Sequence, residues 1–477
     1  MNHGHGCPCL YHTRVGDRSV KDSPNEADSN PADQPCLFSS SPEQPPSPKP
    51  KGVWIVALPV FALLIAVVAV QTAPVVHKAP PPLQTFARPR STPPALPPKT
   101  ARQRVKATEP IVRVNVTPGG VQSFQLDVRG RYRLISLDTQ EELAAETGLS
   151  RIAVTSTAKG LKLGSKQYAT KQIEIQPDQS PSIRVDGHLY RGRLRLFRRA
   201  DGLISAVNVL PIEEYLASVV DSEMPTKFPE AARQAQAIVA RTYALYQVRQ
   251  ADPKSVFDLL SSQRSQKYLG VEYVDASGRR LAGESESSRR VVKETRGIIC
   301  TLRNELFCTY YSAVCGGRTV NGHEVFKDAT DALKSVPCEW CRESPHYRWT
   351  TELSREAFQQ RATSSNNSGK KAFEIHSIRQ TSPHGAGAIT RFELDAGKER
   401  PNVSGIELRD RLPPGTLHSP HFQIKLEKDR VVFDGRGHGH GVGFCQWGAK
   451  GQAEAGRSSA EIIRHYFSGV ELTNLDY

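Results

Sequence analysis

EEYLASVVDSEMPTKFPEAARQAQAIVARTYAL, residues 213–245, reads as two helices joined by a short break, and this reading sets the fold around it. Pro211, just ahead, suits a first helical position, where its missing N–H is no loss. Ile212, Tyr215, Leu216, Val219 and Val220 then recur at helical spacing. SEMPTKF (222–228) interrupts the pattern, and a second helix is predicted from about Pro229, burying Ala232, Ala235, Val239, Tyr243 and Tyr246. The break thereby becomes a rigidly held loop, and it contains a single carboxylate, Glu223.

Upstream of this pair the periodicity changes. IVRVNV (111–116), YRLISL (132–137), IAVTST (152–157), QIEIQP (172–177), IRVDGHLY (183–190), GRLRLF (192–197) and ISAVNVL (204–210) are short β-branched or alternating runs separated by Gly, Asp and Pro. They predict a β-rich N-terminal part, followed by the helices and by further strands around a groove, so the class is α+β. Arg191, Arg193 and Arg195 alternate with Gly192, Leu194 and Leu196, which places three guanidinium groups on one strand face. A solvated sheet face is the preferred reading of them, with a polyanion site as the alternative. Near the end, Ser458 and Glu461 have the spacing of a capping box before IIRHYF, predicting a final short helix.

Further out the chain loses its core-forming pattern. Residues 53–70, VWIVALPVFALLIAVVAV, are an uncharged apolar run about long enough to span a bilayer as a helix. It begins too far into the chain for an ordinary signal peptide, with cleavage near Ala73 as the alternative. The expected organisation is a disordered cytoplasmic tail at 1–52, a transmembrane anchor at 53–72, a proline-rich spacer at 73–110 and a catalytic region at 111–477. Lys49 and Lys51 precede the run while Lys78, Arg88 and Arg90 follow it, so flanking charge does not orient it. The net charge of +14 favours an acidic partner, either an anionic surface, a wall polymer or nucleic acid. A nucleic-acid role is set aside because no zinc-finger, helix-turn-helix or aromatic-platform motif accompanies the charge.

Glu223 has Met224 and apolar helix faces about it in sequence rather than nearby lysines. Burial without a cation raises a carboxyl pKa, keeping the group protonated near neutral pH, as a general acid requires. The competing role is that of an acidic residue favouring the first turn of the next helix.

Three blocks together are similar to the stage II sporulation protein D family, which also includes amidase-enhancer proteins: 213–245, YYSAVCGGRTVNGHEVF (310–326) and GRGHGHGVGFCQWGAKGQAEAG (435–456). The resemblance continues back through VDGHLYRGRLRLFRRADGLISAVNVLPIEEYL and covers most of 111–475, with a core signature at 205–325 and a C-terminal signature at 435–475. It implies that Glu223 is the catalytic glutamate of a lytic transglycosylase that cuts peptidoglycan glycan strands. One carboxyl then acts first as acid and then as base, so no second enzymic carboxylate is needed; Asp221 is expected to cap. Candidate substrate-binding residues are Ser222, Arg241, Gly316, Gly317, Arg318, Thr319, His438, His440 and Gln446. The glycines of the last block suit either close approach to a sugar or tight packing against the following helix.

No cofactor is expected for catalysis. Some members of the resembled family carry a Cys/His cluster after a Phe-Asp pair, but Leu260, Arg264 and Ser265 stand there, so that site is expected to be absent. A different set remains: Cys338-Glu-Trp-Cys341 has the spacing of half a zinc knuckle, and Cys315 and Cys445 sit in the two glycine-rich blocks. Structural zinc, disulfides and buried free thiols all stand open for these four. The expected location is the cytoplasmic membrane, single-pass through one N-terminal helix, with the catalytic region extracytoplasmic or periplasmic. A non-catalytic wall-binding enhancer of a separate amidase partner is the alternative to the enzyme.

Overall fold

A computed structural model describes residues 108–362, 374–382 and 388–477; the tail, the predicted anchor and nearly all of the spacer lie outside the described residues. Among the described residues no helix is long and apolar enough to cross a membrane.

The alternating runs, together with two short strands outside them (β4 and β5), form β1 (Ile111–Asn115), β2 (Ser123–Ser136), β3 (Glu142–Thr157), β4 (Gly160–Leu163), β5 (Lys166–Tyr168), β6 (Gln172–Pro177), β7 (Ile183–Val185), β8 (His188–Tyr190), β9 (Arg193–Arg198) and β10 (Ile204–Pro211). IRVDGHLY divides into two strands because Asp186 and Gly187 both take positive φ, the geometry of a two-residue hairpin turn. β1, β10, β9, β6 and β2 lie side by side in that order. β2 is 14 residues long and pairs with β3 over most of its length. Its other edge serves β6 near the C-terminal end and β7 near the N-terminal end. With register breaks at Val128 and Arg131, this shared long strand curls the sheet into a half-barrel.

β10 is buried on both faces: Ile204, Ala206 and Leu210 join the main core, while Val207 and Val209 meet Phe197, Val256 and Phe257. Pro211 ends β10, still in register with Ile111, and α1 (Ile212–Glu223) starts on the next residue. The proline therefore stands at the N-cap, one position ahead of the expected N1, because the strand ladder holds it. α1 runs three residues further than its apolar pattern, and Asp221, Ser222 and Glu223 form its last turn instead of a loop. The break shortens to Met224–Pro229, and α2 (Glu230–Gln250) follows.

Ile212, Tyr215, Leu216, Val219 and Val220 are all fully buried, each contributing about 1.5–3 kcal/mol by removal from water. Apolar burial tolerates sliding, so register needs a directional contact. Two buried ion pairs supply it, Glu213 with Arg241 at 2.7 Å and Asp221 with Arg233, the partners lying eight positions apart on each antiparallel helix. Such pairs add little net stability but penalise any register that separates them. Asp221 also accepts the backbone N–H of Ser285, the N-cap of α3 (Glu286–Glu294), tying three helices together at the end of α1.

The C-terminal half returns to the same core. Ile298–Thr301 pairs with Glu471–Asn474, and Tyr311–Ser312 runs parallel to Phe444–Cys445. The predicted capping box forms at Ser458, opening the helix Ser459–Tyr466. Between these elements residues 348–436 build a smaller lobe on their own core of Trp349, Phe358, Phe392, Leu394, Phe422 and Phe433.

Candidate active site around Glu223

The ion pairs between α1 and α2 fix the last turn of α1, and Glu223 is its final residue. Its carboxylate is held by residues outside the following helix: Oε1 accepts the backbone N–H of Lys267 at 2.9 Å and Oε2 accepts the side-chain amide of Gln446 at 3.2 Å. Neither contact belongs to a first-turn role, so that alternative is excluded. Part of Glu223 reaches solvent, yet its carboxylate is crowded by protein. Burial pushes its pKa up and outweighs the opposing effects of the Lys267 N–H, the Gln446 amide and the nearby Tyr311 hydroxyl. The carboxyl is thus biased toward its protonated form, as an acid catalyst must be.

The surroundings are polar and incompletely paired. Gln446 also reaches Gln236 Oε1 at 3.4 Å, and Tyr215 donates to Gln266 Oε1 at 3.1 Å. Ser222 Oγ, Gln236 Nε2, Tyr311 Oη and Ser312 Oγ are buried without a well-formed hydrogen bond, the condition of groups that a bound polar ligand can satisfy. Lys267, Gln236 and Tyr311 are not singled out by the sequence reading: a backbone N–H has no sequence signature, and Gln236 and Tyr311, though inside two of the quoted blocks, have no spacing that ties them to Glu223. Both oxygens of Asp221 are engaged by Arg233 and by Ser285, so it offers no second catalytic carboxylate.

Not every candidate arrives at this site. Arg241 is fully buried, holding Glu213 through two hydrogen bonds at 2.9 and 2.7 Å and the carbonyl of Ile298 at 3.1 Å; it is an interior strut, not a ligand contact. Thr319 is likewise interior, its Oγ1 accepting the Val336 N–H at 2.8 Å. Arg318 reaches the Ser335 carbonyl at 3.4 Å and hydroxyl at 3.3 Å. Gly316 (φ 77°) and Gly437 (φ 81°) let two chain segments touch: a Cβ on the first would lie 2.9 Å from Gly437 N, and one on the second 2.5 Å from the Val314 carbonyl. At these positions close packing is what requires glycine. At Gly317 (φ 115°), a Cβ would lie 2.9 Å from the Tyr347 hydroxyl. His440 accepts the Val442 N–H at 3.0 Å and stands edge-on to Phe326.

His438 joins His346 and His418, with ring nitrogens of all three within 4.8 Å of one another. Burial, then the other two rings, pushes His438 down to about 4, so it is neutral at physiological pH. The two partners lie in irregular segments with no periodic signal. The three arginines expected on one strand face are divided: Arg193 and Arg195 hold the buried Glu174 at 2.9 and 2.5 Å, while Arg191 precedes β9 and pairs with Glu284. They are neither a free cationic face nor a simply solvated one. Two surface cavities of about 430 and 1060 Å³ lie on this β-rich part, and neither is lined by Glu223. Cys315, Cys338, Cys341 and Cys445 do converge, with all four sulfurs within 4.8 Å of one another.

Comparison with known proteins agrees with this geometry. Residues 200–302, which hold α1, α2 and Glu223, match the family model described as stage II sporulation protein. The chain is 28% identical over 368 residues to an uncharacterized protein of Brachyspira hyodysenteriae, covering 77% of this chain and 94% of that one. It is 28% identical over 277 residues to stage II sporulation protein D of Bacillus subtilis, covering 57% and 77% respectively. An amidase enhancer of the same organism is 24% identical over 406 residues, 74% of this chain and 54% of the relative.

Proposed function

From the premise that this chain belongs to the stage II sporulation protein D family through residues 200–302, we propose that it serves a cell-wall function and cleaves peptidoglycan glycan strands by lytic transglycosylation. The observation that carries the reading is Glu223, a desolvated carboxyl held by two donors with no second free carboxylate beside it among the described residues. Protonated Glu223 gives its proton to the glycosidic oxygen as the bond to the anomeric carbon breaks. The resulting carboxylate then takes the proton of the sugar's own 6-hydroxyl as that oxygen bonds to the anomeric carbon, which closes an anhydro ring. No water is consumed and the acid is regenerated. The Lys267 N–H and the Gln446 amide stabilise the carboxylate formed midway, while the crowded setting restores its affinity for the proton.

The same reading puts residues 73–477 outside the cytoplasmic membrane, held by the 53–72 segment, since the polymer is found there. Mass spectrometry of products from the purified chain on peptidoglycan tests it: anhydro-ended fragments are expected, and reducing ends would instead mean hydrolysis. The amidase-enhancer relative favours one second reading, a wall-bound partner that activates an amidase. That reading requires no glycan products and a raised rate of a separate amidase on addition of this chain.

A further inference from the structure

We propose that Cys315, Cys338, Cys341 and Cys445 bind one zinc ion as a closed, structural site. They come from three parts of the chain: Cys315 follows the 311–312 strand, Cys338 is the N-cap and Cys341 the last residue of the turn Glu339–Cys341, and Cys445 is the N-cap of the helix Gln446–Glu454. All four are buried, three of them completely and Cys315 at 3% exposure. No pair among them is bonded, and every sulfur lies within 4.8 Å of the other three. Disulfide pairing would instead divide four sulfurs into two couples.

The spacing is that of one ion. Four Zn–S bonds of about 2.3 Å in tetrahedral array put their sulfurs roughly 3.8 Å apart. Cys315 and Cys341 stand 3.7 Å apart. A multi-iron cluster would hold its thiolates further from one another, because its metal and sulfide atoms occupy the middle.

The surrounding donors are those a thiolate needs. Cys445 Sγ accepts the N–H of Cys315 and the N–H of Gly448, both at 3.3 Å, and Cys338 Sγ lies 3.2 Å from the Tyr466 hydroxyl. Such contacts to sulfur orient ligands and spread their negative charge. Gly448 lets the helix close over the cluster, since a Cβ there would lie 2.5 Å from Cys338 Sγ and 2.0 Å from the Tyr466 hydroxyl. A closed shell with no open position excludes a substrate or water from the metal, which assigns it to structure rather than chemistry.

The position of the site gives it a task. Cys445 immediately precedes Gln446, whose amide holds Glu223. Zinc would therefore fasten the start of that helix to the 315 and 338–341 segments and set where the Gln446 side chain stands. Asp221 and Arg233 steady Glu223 from the α1 side; the ion steadies it from the other.

The test is metal analysis of the full chain purified without chelator. One zinc per chain is expected, with the four thiols unreactive toward a thiol reagent until a strong chelator is added. Cobalt replacing the zinc should give the intense visible bands of tetrahedral thiolate coordination. Cys338→Ser and Cys445→Ser should each retain at least about tenfold less zinc, whereas Cys300→Ser, outside the cluster, should retain it. If the serine variants fail to fold, the cobalt spectrum of the unaltered chain decides. Metal-free folded protein with Cys315, Cys338, Cys341 and Cys445 all reactive would overturn the proposal. So would a disulfide mapped between any two of these four, or iron in place of zinc.

Discussion

Replacing Glu223 with Gln should separate catalysis from folding in a way that the local geometry makes quantitative. The carboxylate accepts from two donors, Lys267 N–H at 2.9 Å and Gln446 Nε2 at 3.2 Å. An amide has one acceptor, so its NH₂ must face one of them. The backbone N–H cannot turn, but the Gln446 amide can flip and present its oxygen, at the expense of its 3.4 Å contact with Gln236. The structural loss is therefore about one ordinary hydrogen bond, roughly 1 kcal/mol, or about 2 °C in Tm for a chain of this size.

Against that stands a gain. Because burial raises the Glu223 pKa above its unfolded value, the folded state binds its proton more tightly. The contribution of Glu223 to stability is then highest at low pH and declines as pH rises past the ordinary carboxyl value toward the raised one. The amide of the Glu223→Gln variant carries no charge, so that protein should lack the decline and match or exceed the parent in alkaline buffer. The rate, in contrast, should fall about 10²–10⁴-fold, the usual worth of a positioned acid and base. The assays are release of anhydro-ended muropeptides and thermal unfolding across pH on the same preparations. Parental turnover by a folded variant would refute the catalytic assignment. An unchanged pH dependence of stability would refute the argument from burial.

Gln446→Ala removes a donor to the ionised form, so the Glu223 pKa should rise further, the alkaline limb of the rate profile should move to higher pH, and the optimum rate should drop about tenfold; an unmoved limb would deny the contact. Arg233→Met strands Asp221 in the interior and should cost about 3–5 kcal/mol by urea titration, with much of it recovered on adding Asp221→Asn; an unchanged midpoint would show that the pair does not set the register. Gly437→Ala forces a side chain onto a φ of 81° beside the Val314 carbonyl and should cost roughly 1–3 kcal/mol from conformation alone, read as a lower Tm. Reporters fused after Tyr477 and before Val53 should register opposite compartments; a cytoplasmic C-terminal reporter would reject the topology.

What is legible in the sequence is local. The seven alternating runs, the two helices, the Ser458 capping box and the α+β class each depend on residues a few positions apart, where period and turn chemistry suffice. The position of Glu223 at the end of α1 escapes that reading because the apolar stripe ends at Val220, and what extends the helix is the distant Arg233 and Ser285 holding Asp221. Gln446 stands out in sequence as a ligand for sugar, but its contact with Glu223 spans 223 positions and no periodicity reports it. Arg241 fails as a site residue for a related reason: a charged side chain in an Ala-rich helix looks exposed until Glu213 is known to face it. The cysteines are easier, since thiols in two signature blocks and a close pair have few other places to go.

The lobe of residues 348–436 enters and leaves through neighbouring strands, Arg348 opposite Arg436 and Trp349 opposite Gly435. To the rest of the protein it is an insertion between paired ends that also docks back, the His418 carbonyl accepting the Gly439 N–H, the Ile389 N–H donating to Glu324, and the Ile389 side chain entering the main core. Changes in the length or sequence of its outer turns leave the spacing of its two ends, and therefore the path from Cys341 to Cys445, as it was. Selection is thus free to remodel those outer turns, for reach, charge or recognition, without moving Glu223.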